Sequence, residues 1–90
     1  MDTVLILLKI DLGITHNLRD EYFLTLLISC EQELAGKGIR LNLTDSQDQI
    51  LLSDYAAWQY RKRTEDTPLS NNLKWRIRNR IVKGRANGAN

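Results

Sequence analysis

The sequence predicts an all-α protein: a small bundle of four helices, with a short extended segment or strand between helices 2 and 3. Three observations predict it. Apolar residues recur at helical spacing in four separate stretches. Gly13, Gly36, Gly38, Pro68 and Gly84 fall between or after those stretches. Only residues 39–43 alternate apolar and polar in the way of a strand.

Residues 2–12 read as the first helix, capped by Asp2 and stopped by Gly13. Val4, Leu5, Leu7, Leu8, Ile10 and Leu12 leave it little polar face. A short helix apolar nearly all round is expected to be buried on more than one side.

Residues 17–35 read as the second helix, opened by Asn17, with Asp20 and Glu21 suited to its first turn. Phe23, Leu26, Leu27, Cys30 and Leu34 form its main stripe. Leu24, Ile28 and Ala35 form another on roughly the opposite side. That second stripe needs cover from the first helix, from a loop, or from another subunit. Leu24 and Ile28 are therefore interface candidates.

Gly36-Lys37-Gly38 ends this helix, because glycine relieves the left-handed cap position. Ile39-Arg40-Leu41-Asn42-Leu43 then has two readings. As a strand it offers an unpaired edge, which pairing with a neighbouring subunit would cover. Ile39, Leu41 and Leu43 are interface candidates on that reading. The other reading is an irregular extended connector.

The longest helix runs from Asp45 to Arg63. Thr44 can cap it, with Gln47 three residues on, the spacing of a capping box. Arg61, Lys62 and Arg63 suit the negative pole of its dipole. Leu51, Tyr55 and Trp58 share one arc and should meet Phe23, Leu26 and Ile77 in the core. Ala56 and Ala57 point elsewhere and would let a second element approach closely. This helix is expected to be the central post.

Residues 64–69 contain Pro68 and read as a turn. Ser70 caps a last helix over residues 71–83, ended by Gly84. Leu73, Ile77 and Ile81 should face the core, with Trp75 and Val82 on the far side. Trp75 and Val82 then become interface candidates, with Arg76 and Arg80 meeting acidic residues of a neighbour. The alternative is a rotated helix with Trp75 capping the core and Leu73 at its edge. Residues 1–84 make a single domain, and 85–90 read as a disordered tail.

Ninety residues bury only about 60–65% of the unfolded surface, so stability is marginal. The only cysteine, Cys30, can form no internal bridge and reads as a small buried hydrophobe in a reducing compartment. A chain of this size without a staple often gains stability by association. The apolar run from Val4 to Leu8 is far short of the ~20 residues of a membrane span. With Asp2 at the start there is no basic signal region. The expectation is a soluble protein made in the cytoplasm, with no membrane partner.

The net charge of +2 hides a split. Residues 1–70 hold seven Lys/Arg against eleven Asp/Glu, a balance of −4, while residues 71–90 hold six Lys/Arg and no acid. The basic last helix has three readings: a solvated surface, contact with acidic groups of another subunit, or contact with DNA.

The chemistry of catalysis is missing from the pattern. One Cys and one His make no metal site. His16 and Cys30 lie too far apart in sequence for a nucleophile and base without a fold-back. No Gly-rich phosphate loop occurs, and Asp20-Glu21 and Glu31/Glu33 read as solvated helix faces. The expectation is a protein that is not an enzyme and carries no cofactor.

The order of segments is also familiar: LGI at 12–14, RDEYFLTLLISCEQEL at 19–34, GIRLNL at 38–43, DSQDQILLSDYAAWQYRKR at 45–63 and LKWRIRNRI at 73–81. Asp20-Glu21-Tyr22-Phe23-Leu24, Asp54-Tyr55-Ala56-Ala57-Trp58 and Tyr60-Arg61 are its most specific parts. Over about residues 3–83 the chain resembles the small head–tail connector proteins of tailed phages, a family of head-completion or DNA-packaging proteins. The resemblance implies a non-enzymatic α-helical subunit of a homo-oligomeric ring, dodecameric in the family. That ring would dock on the portal protein after DNA packaging, extend the DNA channel and offer a surface to tail or head-closure proteins. It would sit at the head–tail junction of the virion, after assembly in the host cytoplasm. The alternative is a small, basic-ended DNA-binding or regulatory protein.

Overall fold

Gly13 and Gly38 end the first two helices in the same way. Both have positive φ, 72° and 93°, which glycine alone adopts without steric cost. At Gly13 the amides of Gly13 and Ile14 reach the carbonyls of Ile10 and Lys9 at 3.1 and 2.8 Å. At Gly38 the amides of Gly38 and Ile39 reach those of Ala35 and Leu34 at 3.0 and 2.9 Å. Each pair of bonds is a Schellman motif.

The computed structural model describes the backbone of residues 1–65 and 68–88, and the side chains of 1–63 and 68–82. Its helices are α1 (Asp2–Leu12), α2 (Asp20–Gly36), α3 (Ser46–Glu65) and α4 (Asn71–Gly88). No strand occurs among the described residues. The all-α, four-helix expectation is met. So is the central post: α3 touches each of the other three helices, α1 and α2 also touch each other, and among the described residues α4 packs on no helix but α3. No helix among the described residues is long and apolar enough to cross a membrane.

The helix starts differ from the sequence reading in informative ways. α2 begins at Asp20, because the Asn17 side chain is engaged by Lys9 Nζ at 2.8 Å instead of capping. Lys9 also pairs with Asp20 at 2.9 Å, so one ammonium ties the loop to α1. Asp45, not Thr44, caps α3: its Oδ1 accepts the Gln47 amide at 2.8 Å. The Thr44 hydroxyl donates to Asn42 Oδ1 instead. Ser70 caps α4 as expected, its Oγ accepting the Leu73 amide at 3.2 Å. At the far end α4 runs through Gly84 to Gly88, past the expected stop. A helical glycine costs about 1 kcal/mol relative to alanine, which weakens a helix without ending it. Residues 66, 67, 89 and 90, parts of the expected turn and tail, lie outside the described residues.

The core joins Val4 and Leu8 of α1, Phe23, Leu27, Cys30 and Leu34 of α2, Leu51, Leu52, Tyr55, Ala56 and Ala57 of α3, and Leu73 and Ile77 of α4. Burial of a Leu, Ile or Phe side chain contributes about 1.5–3 kcal/mol each. Leu26 and Trp58, expected in this core, are only half-buried against it. Ala56 and Ala57 are buried, as a close approach by a second element requires, and Leu52, which the sequence reading did not place, is buried one turn before Ala56. Trp58 instead faces a shallow gap between the end of α1 and the start of α4, beside Asp11, Pro68 and Leu73.

α1 is buried on one side only, which corrects the reading of burial on more than one side. Val4 and Leu8 point inward, while Ile6 and Ile10 are exposed. The helix rests on α2 and α3, and no other element reaches its outer side among the described residues.

Candidate interaction faces

Residues 39–43 are neither a strand nor an open edge. Ile39 follows the left-handed Gly38, where the Schellman geometry turns it back against Leu34, and it is 1% exposed. Leu41 and Leu43 are half-buried on the same core. The backbone groups find partners within the chain. The Asn42 amide reaches Asp48 Oδ2 at 2.8 Å, and the Leu43 carbonyl accepts from Gln49 Nε2 at 2.7 Å. The Arg40 carbonyl accepts from Arg80 at 3.1 Å. Ile39, Leu41 and Leu43 therefore belong to the subunit's own packing rather than to a strand edge offered to a neighbour.

α4 is oriented by its inner face. Leu73 and Ile77 are buried and Ile81 half-buried, so Trp75 and Val82 project outward, 64% and 58% exposed. That excludes the rotated arrangement with Trp75 on the core. Arg76 and Arg80, expected to meet a neighbour's acids, find their partners on α3. Arg76 pairs with Asp54 at 2.8 Å. Arg80 pairs with the buried Asp48, whose hydrogen bond holds the guanidinium pKa above its ordinary value. The position of these arginines one turn apart, facing Asp48 and Asp54 across the packed pair, is what engages them. Lys74 and Arg78 point away and form no ion pair among the described residues.

Besides the gap at Trp58, grooves lie on either side of α4 among the described residues. One, about 330 Å³, runs between α3 and α4, with Ile50 and Trp75 as its apolar walls and Asp45, Arg76 and Asn79 around them. The other, about 430 Å³, has Leu69, Ile77 and Ile81 as its floor and Lys37, Lys74 and Arg78 around it.

α2 carries an outer face of its own. At about 100° per residue, Glu21, Leu24, Ile28 and Glu31 fall within an arc of about 80°. Ile28 is 47% exposed and Leu24 half-buried, so the described residues give the second stripe no full cover. Neither Glu21 nor Glu31 forms an ion pair among the described residues. Glu33, by contrast, accepts hydrogen bonds from Tyr55 and Gln59.

One cluster escaped the sequence reading. The Arg19 guanidinium lies 4.6 Å from the Tyr22 ring centre, with Phe23 and Tyr60 at 5.6 and 5.8 Å, and it donates to the Tyr60 hydroxyl at 3.2 Å. Arg63 lies 5.4 Å from the same Tyr22 ring and donates to its hydroxyl. Lys62 sits 4.9 Å from the Trp58 ring. Arg61 reaches the carbonyl and carboxylate of Asp11 at 3.2 and 3.4 Å. The basic end of α3 thus clamps α1 and α2, beyond suiting its own dipole. The i, i+3 spacings Arg19/Tyr22 and Tyr60/Arg63 were the available signal, since such pairs share a helix face.

The Cys30 thiol is buried and its pKa is pushed up to about 12, by desolvation first and by Glu33 second. That is the reverse of an activated nucleophile. His16 lies exposed in the loop, its Nδ1 accepting the Leu18 amide at 3.3 Å. No group of His, Cys, Asp or Glu side chains suited to a metal ion occurs among the described residues. Compared with models of known families, with curated proteins and with solved structures, the chain matches none.

Proposed function

We propose that this chain is a structural subunit of a phage head–tail connector ring, which docks on the portal, extends the DNA channel and presents a tail-attachment surface. The observation that carries the reading is a pair of unlike faces on helices that do not touch among the described residues. α2 leaves Ile28 exposed beside acidic groups, and α4 leaves Trp75 and Val82 exposed beside basic ones. A ring built head to tail needs two different surfaces on each subunit, whereas a two-fold dimer needs one. The motif resemblance over residues 3–83 supplies the phage context.

The second reading is a small DNA-binding protein, for which the exposed Lys62, Lys74 and Arg78 speak, the last two without an ion pair among the described residues. The engagement of Arg76 and Arg80 by Asp54 and Asp48 weakens it, since it removes two cations from any stripe aimed at phosphate.

The test mixes the purified chain with a portal ring and images the product by negative stain, alongside binding to random duplex DNA at several salt concentrations. Rings stacked on the portal are expected. A chain that stays off the portal, stays monomeric when concentrated, and binds DNA with a steep salt dependence would overturn the connector reading.

A further inference from the structure

We infer that the outer face of α2 in one copy seats in the Leu69/Ile77/Ile81 groove beside α4 of the next copy. This contact presupposes the assembly proposed above and names its two sides.

The groove has an apolar floor and a cationic margin of Lys37, Lys74 and Arg78. Lys74 and Arg78 have no acid partner among the described residues. Lys37 is exposed, with its ammonium 5.8 Å from the Tyr55 ring centre. The matching surface carries apolar side chains at its centre and carboxylates at its ends. α2 offers that order: Leu24 and Ile28 lie between Glu21 and Glu31. The two glutamates are about 15 Å apart along the helix axis at 1.5 Å per residue.

Charge also selects the mode of association. Two α2 faces would set Glu21 and Glu31 against each other, and two α4 faces would do the same with Lys74 and Arg78. Juxtaposed like charges disfavour both self-pairings, while α2 against α4 is complementary. The favoured contact is therefore heterologous, and an open chain of copies keeps one unused face of each kind, at its two ends, until a ring closes. Since α2 and α4 do not touch among the described residues, both faces are available on the same copy. The exposed apolar pair on α1, Ile6 and Ile10, is a poorer match for the cationic groove. Asp2 is exposed on that helix, but Asp11 is already engaged by Arg61.

The experiment uses the full chain and sedimentation velocity from micromolar to millimolar concentration, with circular dichroism as the folding control. The variants are Glu31→Arg, Arg78→Glu and the double reversal. Each single reversal is expected to weaken association about tenfold or more, and the double to restore most of it. Glu31→Gln and Arg78→Gln serve as milder versions should a reversal lose helicity, each expected to weaken association less. Singles that associate like the unmodified chain, or a double weaker than either single, would overturn the contact while leaving assembly intact. An unmodified chain that remains monomeric throughout would overturn the contact and the assembly reading together.

Discussion

Arg80 holds Asp48 by two parallel hydrogen bonds, Nε to Oδ1 and Nη2 to Oδ2, each 3.1 Å. The fork-to-carboxylate geometry is the strong form of this interaction. It joins three parts of the chain. Asp48 opens α3 and also accepts the Asn42 amide, while Arg80 lies on α4 and also donates to the Arg40 carbonyl. The Asp48 side chain is 7% exposed, so the pair is shielded on its acidic side.

Arg80→Leu should therefore destabilise the fold by about 2–3 kcal/mol, the range for losing hydrogen bonds to a charged, largely buried group. Arg76→Leu should cost about 0.2–1 kcal/mol, because both members of the Arg76–Asp54 pair are about one-third exposed. Urea denaturation of the two variants gives the comparison. Equal losses would mean that Asp48 is hydrated in solution and that α4 is held by its apolar face alone.

Core substitutions should separate Phe23 from Trp58. Phe23 is fully buried, and Phe23→Ala should cost about 3–5 kcal/mol. Trp58 is half-buried, with its ring against Tyr55 at 5.5 Å and Lys62 above it. Trp58→Ala should cost less than Phe23→Ala, by at least 1 kcal/mol on the order of the area left in water. Melting temperatures in reverse order would place the α3 seam on Trp58 after all.

Trp75→Ala tests the outer face of α4. Folding stability should change by no more than about 0.5 kcal/mol, as for an exposed surface site. Association, with itself or with a portal, should fall sharply if the indole is an interface anchor. Thermal melting and light scattering on the same sample read both. A subunit that unfolds would show that the indole is needed within the monomer.

The raised thiol pKa of Cys30 has a definite sign. Below about 9.0, the ordinary value, the group is protonated in both folded and unfolded chains and stability is unaffected by it. Between about 9 and 12 the unfolded chain gives up the proton and the folded one keeps it, so stability falls as pH rises. The slope is about 1.4 kcal/mol per pH unit for one group. In Cys30→Ala this component should disappear from the alkaline limb of the stability curve. The thiol should also resist a disulfide-exchange reagent at pH 8 until the chain is unfolded, and rapid reaction of the native protein would show that α2 opens locally.

The sequence by itself determined the helices and their order. Apolar spacing, Gly13, Gly38 and Ser70 are local signals, acting over one or two turns, and the structure follows them closely. The core stripe Phe23, Leu27, Cys30 and Leu34 was legible for the same reason, as was the outward aim of Trp75 once Leu73 and Ile77 were set inward. Only the tertiary structure decided what lay between helices. Alternation at 39–43 looked like a strand because the pattern cannot show that Ile39 would fold back on Leu34 and that Asp48 would take the Asn42 amide. Charge counting saw a basic last helix, but not that Asp48 and Asp54 would stand opposite Arg80 and Arg76. The Arg19–Tyr22–Tyr60–Arg63 clamp joins residues about forty positions apart, a distance over which periodicity carries no information. Local backbone preference fixes where a helix begins and stops. Which cation meets which anion, and which apolar stripe is left uncovered, depends on how helices are set beside one another, and that is a property of the packed chain.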